Sequence, residues 1–153
     1  MSPHALDELD LSILRLIQEE PKMKLHELEK RLKVSKSTIH YRLKKLEKLG
    51  VIKGYRAILD AEKLGFEFNI AILVRAAYGP QYHYEVGHFL AANPNIQIVY
   101  YVLGDIDFIV VGKFPSRESY LSFLETLINS NKIERTSTMV VIKILKEDLK
   151  LNI

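Results

Sequence analysis

Along the first fifty positions apolar residues recur every three or four places, and beyond them they gather in short runs or alternate, so the chain changes from helical to strand-forming periodicity. Leu9, Ile13, Leu16 and Ile17 mark one face of a helix that Asp7 or a neighbour can cap and that Pro21 closes. A second helix is predicted from about Lys24 to Leu32, with Leu25, Leu28 and Leu32 inward. Only Lys33 and Val34 separate it from Ser35, whose hydroxyl can cap a third helix over Lys36 to Leu49; Gly50 suits the left-handed residue that ends it. Ile39, Leu43, Leu46 and Leu49 form the buried stripe of that helix. At 100° per residue the opposite stripe is Ser37, Tyr41, Lys44 and Lys48, with Thr38 and Lys45 beside it and His40 and Arg42 on the flanks. Two helices joined by so short a turn, the second of them basic, make a helix-turn-helix.

After Gly50 the pattern predicts a strand over Val51 to Leu59 and a connector over Asp60 to Gly65, with a helical turn around Ala61 to Leu64. A strand over Phe66 to Ala77 follows, broken by Gly79-Pro80, then a helix over Gln81 to Ala92 with Tyr82, Val86, Phe89 and Leu90 on one side. Ile96 to Leu103 and Ile106 to Phe114 read as strands around a tight Gly104-Asp105 turn. Ser116 caps a helix to about Asn129 with Tyr120, Leu124, Leu127 and Ile128 inward, and Glu134 to Lys146 is the last strand. The fold class is therefore α+β: an N-terminal helix-turn-helix (winged-helix-like) domain at 1–50, a hinge strand and linker at 51–65, and a C-terminal ferredoxin-like βαββαβ sandwich at 66–153. Such a sandwich covers one sheet face with helices, yet both alternating sets of Ile96 to Leu103 are apolar or aromatic, as are Ile106 to Val111 and Met139 to Leu145. A second subunit packing its sheet on this one is expected, giving an obligate dimer.

Charge sharpens the division. Residues 1–60 hold thirteen basic and nine acidic side chains, net +4, and residues 61–153 hold nine and ten, net −1. Lys30 to Arg56 carries ten Lys or Arg against a single acid, Glu47, whereas a merely solvated helix face mixes both signs. That block would attract the phosphates of double-stranded DNA. The 153 residues suffice for one medium domain or two small ones, and 48% hydrophobic content is ample for a core. The absence of cysteine, a polar N-terminus and the lack of any apolar run near the roughly 20 residues that span a bilayer point to a cytoplasmic protein without membrane association.

The segments LDELDLSILRLI from Leu6, SKSTIHYRLKKLEKLGVIKGYRAILD from Ser35, Leu64-Gly65, GDIDFIVV from Gly104 and IERTSTMVVIK from Ile133 together resemble the Lrp/AsnC (feast/famine) regulators of bacteria and archaea. The resemblance spans nearly the whole chain, and the Gly-x-x-Asp turn followed by a Thr-x-Thr strand is what makes it specific. It implies a sequence-specific DNA-binding transcriptional regulator with a hinge strand and a C-terminal domain that forms dimers and often octamers and senses a small effector, an amino acid. Three positions depart from the family pattern: Glu29 where a small residue is usual in the second helix, Lys33 where the turn usually has Gly or Asn, and Leu103 where Thr or Ser often precedes the turn glycine. The resemblance implies that the turn accepts the Lys33 side chain where a φ > 0 position is possible, at a modest cost.

Two sets of site residues follow. Ser37, Thr38, Tyr41 and Lys44 are expected at base edges or nearby phosphates, with Ser35, Lys36, Arg42, Lys45 and Lys48 on the backbone and His40 on the flank. For an amino-acid effector, Gly104 allows close backbone approach and Ile106 completes the turn; Asp105 or Asp107 can accept from the ammonium, and Thr136, Ser137 and Thr138 can donate to the carboxylate. No cofactor, metal ligand set or catalytic group is expected: there is no cysteine nucleophile and no Gly-rich phosphate loop, and His83 and His88 are five apart, a poor spacing for a shared helix face. The alternative of another class is a sirohaem-decarboxylase-like enzyme on the same architecture, which would depend on His83, His88 or Arg75. A sensor module without DNA binding is a third reading, hinted at only by Glu29 and Lys33.

Overall fold

The computed structural model describes residues 6–153, so the first five residues of the expected 1–50 domain lie outside the described residues. Three helices begin the chain: α1 (Glu8–Glu19), α2 (Leu25–Leu32) and α3 (Lys36–Lys48). Each starts where a side chain can take up a free N–H. Asp7 caps α1, accepting from the Asp10 N–H at 2.9 Å. Glu27 accepts from the Lys24 N–H at 2.9 Å at the start of α2, and Ser35 Oγ accepts from the Thr38 N–H at 3.2 Å at the start of α3. Lys33 stands in the left-handed region at φ 57°, as the missing glycine required. Gly50, at φ 71°, turns the chain out of α3 so that the Val51 and Ile52 N–H groups both donate to Leu46 O. The apolar stripes meet in a small core of Ile13, Leu14 and Leu46, with Leu9, Ile17, Leu32, Leu43 and Ile52 against it; Leu28 and Ile39 are also buried. Each fully buried side chain of this kind contributes about 1.5–3 kcal/mol.

Past Gly50 the expected strand over Val51 to Leu59 does not form. A strand needs a neighbour for its N–H and C=O groups. Among the described residues no segment of the chain pairs with it, and Tyr55, Ile58 and Leu59 lie exposed. A short 3-10 turn at Glu62–Leu64 follows, where the helical turn was expected.

The remaining elements are β1 (Phe68–Ala76), α4 (Tyr82–Ala91), β2 (Ile96–Tyr101), β3 (Phe108–Phe114), α5 (Arg117–Asn129) and β4 (Ile133–Val140). They form one sheet of order β2-β3-β1-β4 with every neighbouring pair antiparallel, the ferredoxin-like arrangement. Val74 on β1 lies opposite Phe108 on β3 and Thr136 on β4. Because side chains alternate across a strand, Ile70, Ile72, Val74 and Ala76 face the helices together with Phe108, Val110 and Phe114. Val86 and Leu90 of α4 and Tyr120, Phe123 and Leu127 of α5 close that core.

The strands are shorter than expected, β1 starting at Phe68, β2 ending at Tyr101 and β3 starting at Phe108. β4 ends at Val140 rather than Lys146, because β1 supplies one more acceptor, Asn69 O to the Val141 N–H, and then runs out. On α5 it is Phe123 that is buried while Ile128 is exposed: Tyr120, Phe123, Leu124 and Leu127 complete a narrow face from which Ile128 lies a quarter turn away.

The chain divides into two compact units, one through Ile58 together with Asp148–Ile153, the other Leu59–Glu147. The division therefore falls inside the expected 51–65 linker, and the last six residues group with the helices rather than with the sheet.

Candidate nucleic-acid interface and effector site

On α3 burial separates the ten expected DNA-facing residues into two groups. Ser35, Lys36, Ser37, His40, Tyr41, Lys44 and Lys48 are exposed, and Thr38 is half-buried beside the cap. Tyr41, two-thirds exposed, stands in the middle of the outward stripe with Lys44 and Lys48 below it. Lys44 reaches Glu47 on its own helix at 3.0 Å, and Lys36 reaches Glu29 across the turn at 3.6 Å. Glu29 thus links α2 to the start of α3, which gives that departure from the family pattern a structural role. Solvent-exposed pairs of this strength are readily exchanged for a phosphate.

Arg42 and Lys45 are the exceptions. Their side chains turn toward α1, where Asp10 has no exposed surface: Arg42 Nη1 lies 3.1 Å from Asp10 Oδ1, and Lys45 Nζ lies 3.2 Å from Asp10 Oδ2. Arg42 Nη1 also donates to Asp7. The hydrogen bonds that Arg42 donates to Asp7 and Asp10 raise its pKa above the ordinary value; the Asp10 N–H and then Arg42 hold the Asp7 carboxyl below its own. Both cations are thus committed to positioning α3 on α1. Asp10 is the residue that sequence reasoning missed, although its spacing three and four before Ile13 and Leu14 places it on the inward face.

The expected effector residues divide as well. Gly104, at φ 153°, and Asp105 are exposed in the turn between β2 and β3, and Ile106 is half-buried. Asp107 is buried, and both its oxygens are used: Oδ2 accepts from the Ala76 N–H at 2.9 Å and Oδ1 from the Tyr82 hydroxyl at 3.1 Å. Hydrogen bonding to Tyr101, burial and the neighbouring Asp107 all raise the Tyr82 pKa, keeping its phenol protonated as a donor. Asp107 thus joins β1, β3 and α4, and of the two carboxylates Asp105 is the one left open to solvent. Thr136 and Thr138 lie on the helix-facing side of β4 opposite Val74 and Ile72, and Thr138 Oγ1 is 2.7 Å from the Tyr120 hydroxyl, which donates to it. Ser137, opposite Leu73, faces the other way and is exposed. The turn and the Thr-Ser-Thr segment sit on strands separated by β1, so the structure does not gather all seven residues around one point.

The open sheet face carries Leu73, Ile98, Tyr100, Ile109, Val111 and Met139, with no helix over it among the described residues. Arg75 is on this face, 3.6 Å from Glu134 Oε2. His83 stacks on Tyr101 at 5.4 Å while His88 is exposed, and among the described residues no three His, Asp or Glu side chains gather as metal ligands. No helix among the described residues is long and apolar enough to cross a membrane.

Comparison with known proteins gives two family matches: a winged helix-turn-helix DNA-binding model over residues 6–53 and an Lrp/AsnC ligand binding domain model over residues 70–151. Over 148 residues the chain is 38% identical to the HTH-type transcriptional regulator FL11 of Pyrococcus horikoshii, covering 97% of each chain. It is 31% identical over 145 residues to the leucine-responsive regulatory protein of Haemophilus influenzae, covering 94% of this chain and 87% of that one. Among solved structures, a transcriptional regulator of Neisseria meningitidis in complex with L-methionine superposes with a TM-score of 0.89 at 24% identity, over 96% of each chain.

Proposed function

From the premise that this chain belongs to the Lrp/AsnC family of DNA-binding transcriptional regulators, we propose that it reads duplex DNA with the outward stripe of α3 and that a small amino acid modulates this binding or the assembly that presents it. Residues 1–50 read DNA, 51–65 connect, and 66–153 sense and assemble. The observation that carries the reading is the exposed set Ser37, Tyr41, Lys44 and Lys48 on a helix whose opposite face is buried. Hydroxyls, a phenol and ammonium groups supply donors for base edges and phosphates, while Arg42 and Lys45 fix the helix that carries them.

The effector reading is supported by the ligand-binding domain match, by the leucine-responsive relative and by the L-methionine bound to the Neisseria regulator. Asp105 receives the ammonium, and Gly104 and Ile106 frame the site from the turn. The apolar open sheet face supports a homodimer packed sheet on sheet, in keeping with dimers that assemble further, up to octamers. The protein works in the cytoplasm and is not an enzyme; the relatives are regulators, and none of them favours the sirohaem-decarboxylase-like alternative.

The test has two arms. Retention on random duplex DNA at low salt, released as salt rises, is expected of the regulator; no retention overturns the DNA-reading assignment. A thermal-shift screen with the twenty amino acids is expected to show a specific stabilisation, about 2.7 kcal/mol at a hundredfold excess over Kd. No shift with any of them overturns the effector assignment alone.

A further inference from the structure

A polar side-chain atom that leaves water without gaining a hydrogen-bond partner is rare in a folded protein and calls for a reason. Among the described residues two buried side-chain atoms are in that state, Asn69 Oδ1 and Arg75 Nε. Both belong to β1, and both lie on its open face: Phe68, Ile70, Ile72, Val74 and Ala76 pack against the helices, so alternation turns Asn69 and Arg75 the other way. One atom is an acceptor and the other a donor. Six residues of strand separate them, about 20 Å, which is too far for either to satisfy the other within the chain.

The two ends of the face also differ in charge. Arg75 lies opposite Arg135 on β4, and the register slips just beyond this pair, which makes Glu134 the extra residue of a bulge. Glu134 Oε2 comes to 3.6 Å from Arg75 Nε, longer than a hydrogen bond, and Arg135 is exposed. Two guanidiniums in register leave this end positive, and like charges directly opposite one another are destabilising. At the far end Asn69 lies opposite Lys113 on β3, whose ammonium is already paired with Glu147. Between the ends the face is apolar, with Ala71 and Leu73 on β1 beside Val111 and Ile109 on β3.

We propose that in the sheet-on-sheet homodimer, the reading on which this inference rests, Arg75 of each protomer donates to Asn69 of the partner subunit. The two-fold axis then runs across the strands at the level of Ile72, and the two β1 strands pass each other antiparallel. A two-fold axis makes such a contact twice, so both orphaned atoms of both chains find a partner. Sheets packed face to face lie about 10 Å apart with strand directions within about 30°, a gap that the two side chains bridge from opposite sides. Neither residue is fully buried, so a change of rotamer brings each group to the surface of the face. An axis along the strands would instead gather the Arg75 and Arg135 guanidiniums of both protomers at one end, an arrangement that their repulsion disfavours. Apolar side chains hold two sheets together without fixing their offset; a charge-assisted hydrogen bond at each end of the contact fixes it.

Because the two residues cannot compensate each other within one chain, a paired substitution tests the contact between chains. Sedimentation velocity of the full-length protein over a dilution series reads the dimer dissociation constant. Asn69→Lys sets an ammonium against Arg75 of the partner subunit and is expected to raise that constant about tenfold or more. Arg75→Glu is expected to raise it about threefold or more, and both substitutions in one chain are expected to return it to within about threefold of the parent. Asn69→Asp is expected to tighten the dimer, a direction that no folding defect imitates. A double variant no better than the weaker single one, an Asn69→Lys dimer as tight as the parent, or an Asn69→Asp dimer that is not tighter would overturn the register. So would a mixture of Arg75→Glu and parent chains that prefers the mixed dimer to both homodimers, the sign of an axis along the strands. A monomeric parent, or a Val111→Asp variant that stays dimeric, overturns the sheet-on-sheet reading itself. A dimeric parent with a monomeric Val111→Asp variant upholds that reading, and the paired substitution then decides the register alone.

Discussion

Asp10 and Arg42 meet at 3.1 Å across the contact between the first and third helices, with the carboxylate wholly buried and the guanidinium at the surface edge. Removing the carboxylate leaves two cations facing an apolar core and takes away the support of the helix cap. Asp10→Ala is expected to cost about 3 kcal/mol of stability, read as a lower midpoint in urea unfolding.

The pH dependence of the same contact follows from Asp7. Its carboxyl is held below its ordinary value by the Asp10 N–H and by Arg42, so the unfolded state binds its proton first as pH falls. The stabilisation is complete above the unfolded-state pKa of about 3.9 and is lost as pH drops through the lower folded value. Acid titration followed by far-ultraviolet circular dichroism is expected to show Asp7→Asn less stable than the parent at neutral pH, with the two curves converging in acid.

Lys33 bears the strain of the turn. At φ 57° a side chain crowds the backbone, and glycine does not. Lys33→Gly is expected to stabilise the protein by about 0.5–1 kcal/mol and raise its melting temperature. If Lys33 also serves as a phosphate contact, the same variant weakens DNA binding while it stabilises the fold, and the two measurements separate the roles.

For DNA itself, Lys44→Ala and Lys48→Ala are each expected to reduce the slope of log K against log salt by about 0.9, the signature of a lost phosphate contact. Lys45→Ala, whose ammonium is engaged with Asp10, is expected to lower stability while leaving the slope unchanged. Filter binding or fluorescence anisotropy across a salt series measures both.

The open sheet face and the turn give the last pair of outcomes. A carboxylate at Tyr100 or Val111 places a charge in the centre of the proposed dimer contact; Val111→Asp is expected to sediment as a monomer. At the turn, Asp105→Asn is expected to abolish an amino-acid thermal shift without altering the melting temperature of the free protein. Asp107→Ala strands the Ala76 N–H and the Tyr82 hydroxyl, and is expected to cost about 2 kcal/mol whether or not ligand is present.

Where burial follows periodicity, the fold was legible in the chain. The stripes at Ile13, Leu28, Ile39 and Leu46, the caps at Asp7 and Ser35 and the left-handed Lys33 could all be reasoned from spacing and turn chemistry. Val51 to Leu59 could not, because composition shows a segment fit to be a strand without showing whether anything will pair with it. The sites were legible by element and less so by residue. Arg42 and Lys45 look like phosphate contacts in a basic run, and only the position of Asp10 in space reveals their other commitment. Asp107 and Asp105 are equivalent on paper, two acids around a turn; the Tyr82 hydroxyl, brought from twenty-five positions away, distinguishes them.

The grouping of Asp148–Ile153 with the helical unit makes the DNA-binding module discontinuous in sequence, with the sheet unit as an insertion between its two parts. Replacing the reader module of this chain then means exchanging the residues through Ile58 and Asp148–Ile153 together. A fragment ending at Ile58 would leave Gln18 without Leu151 and Glu19 without Lys150, and Arg15 with Glu8 but without Ile153 O, so chimeras built by a single splice are expected to inherit the helices without these contacts.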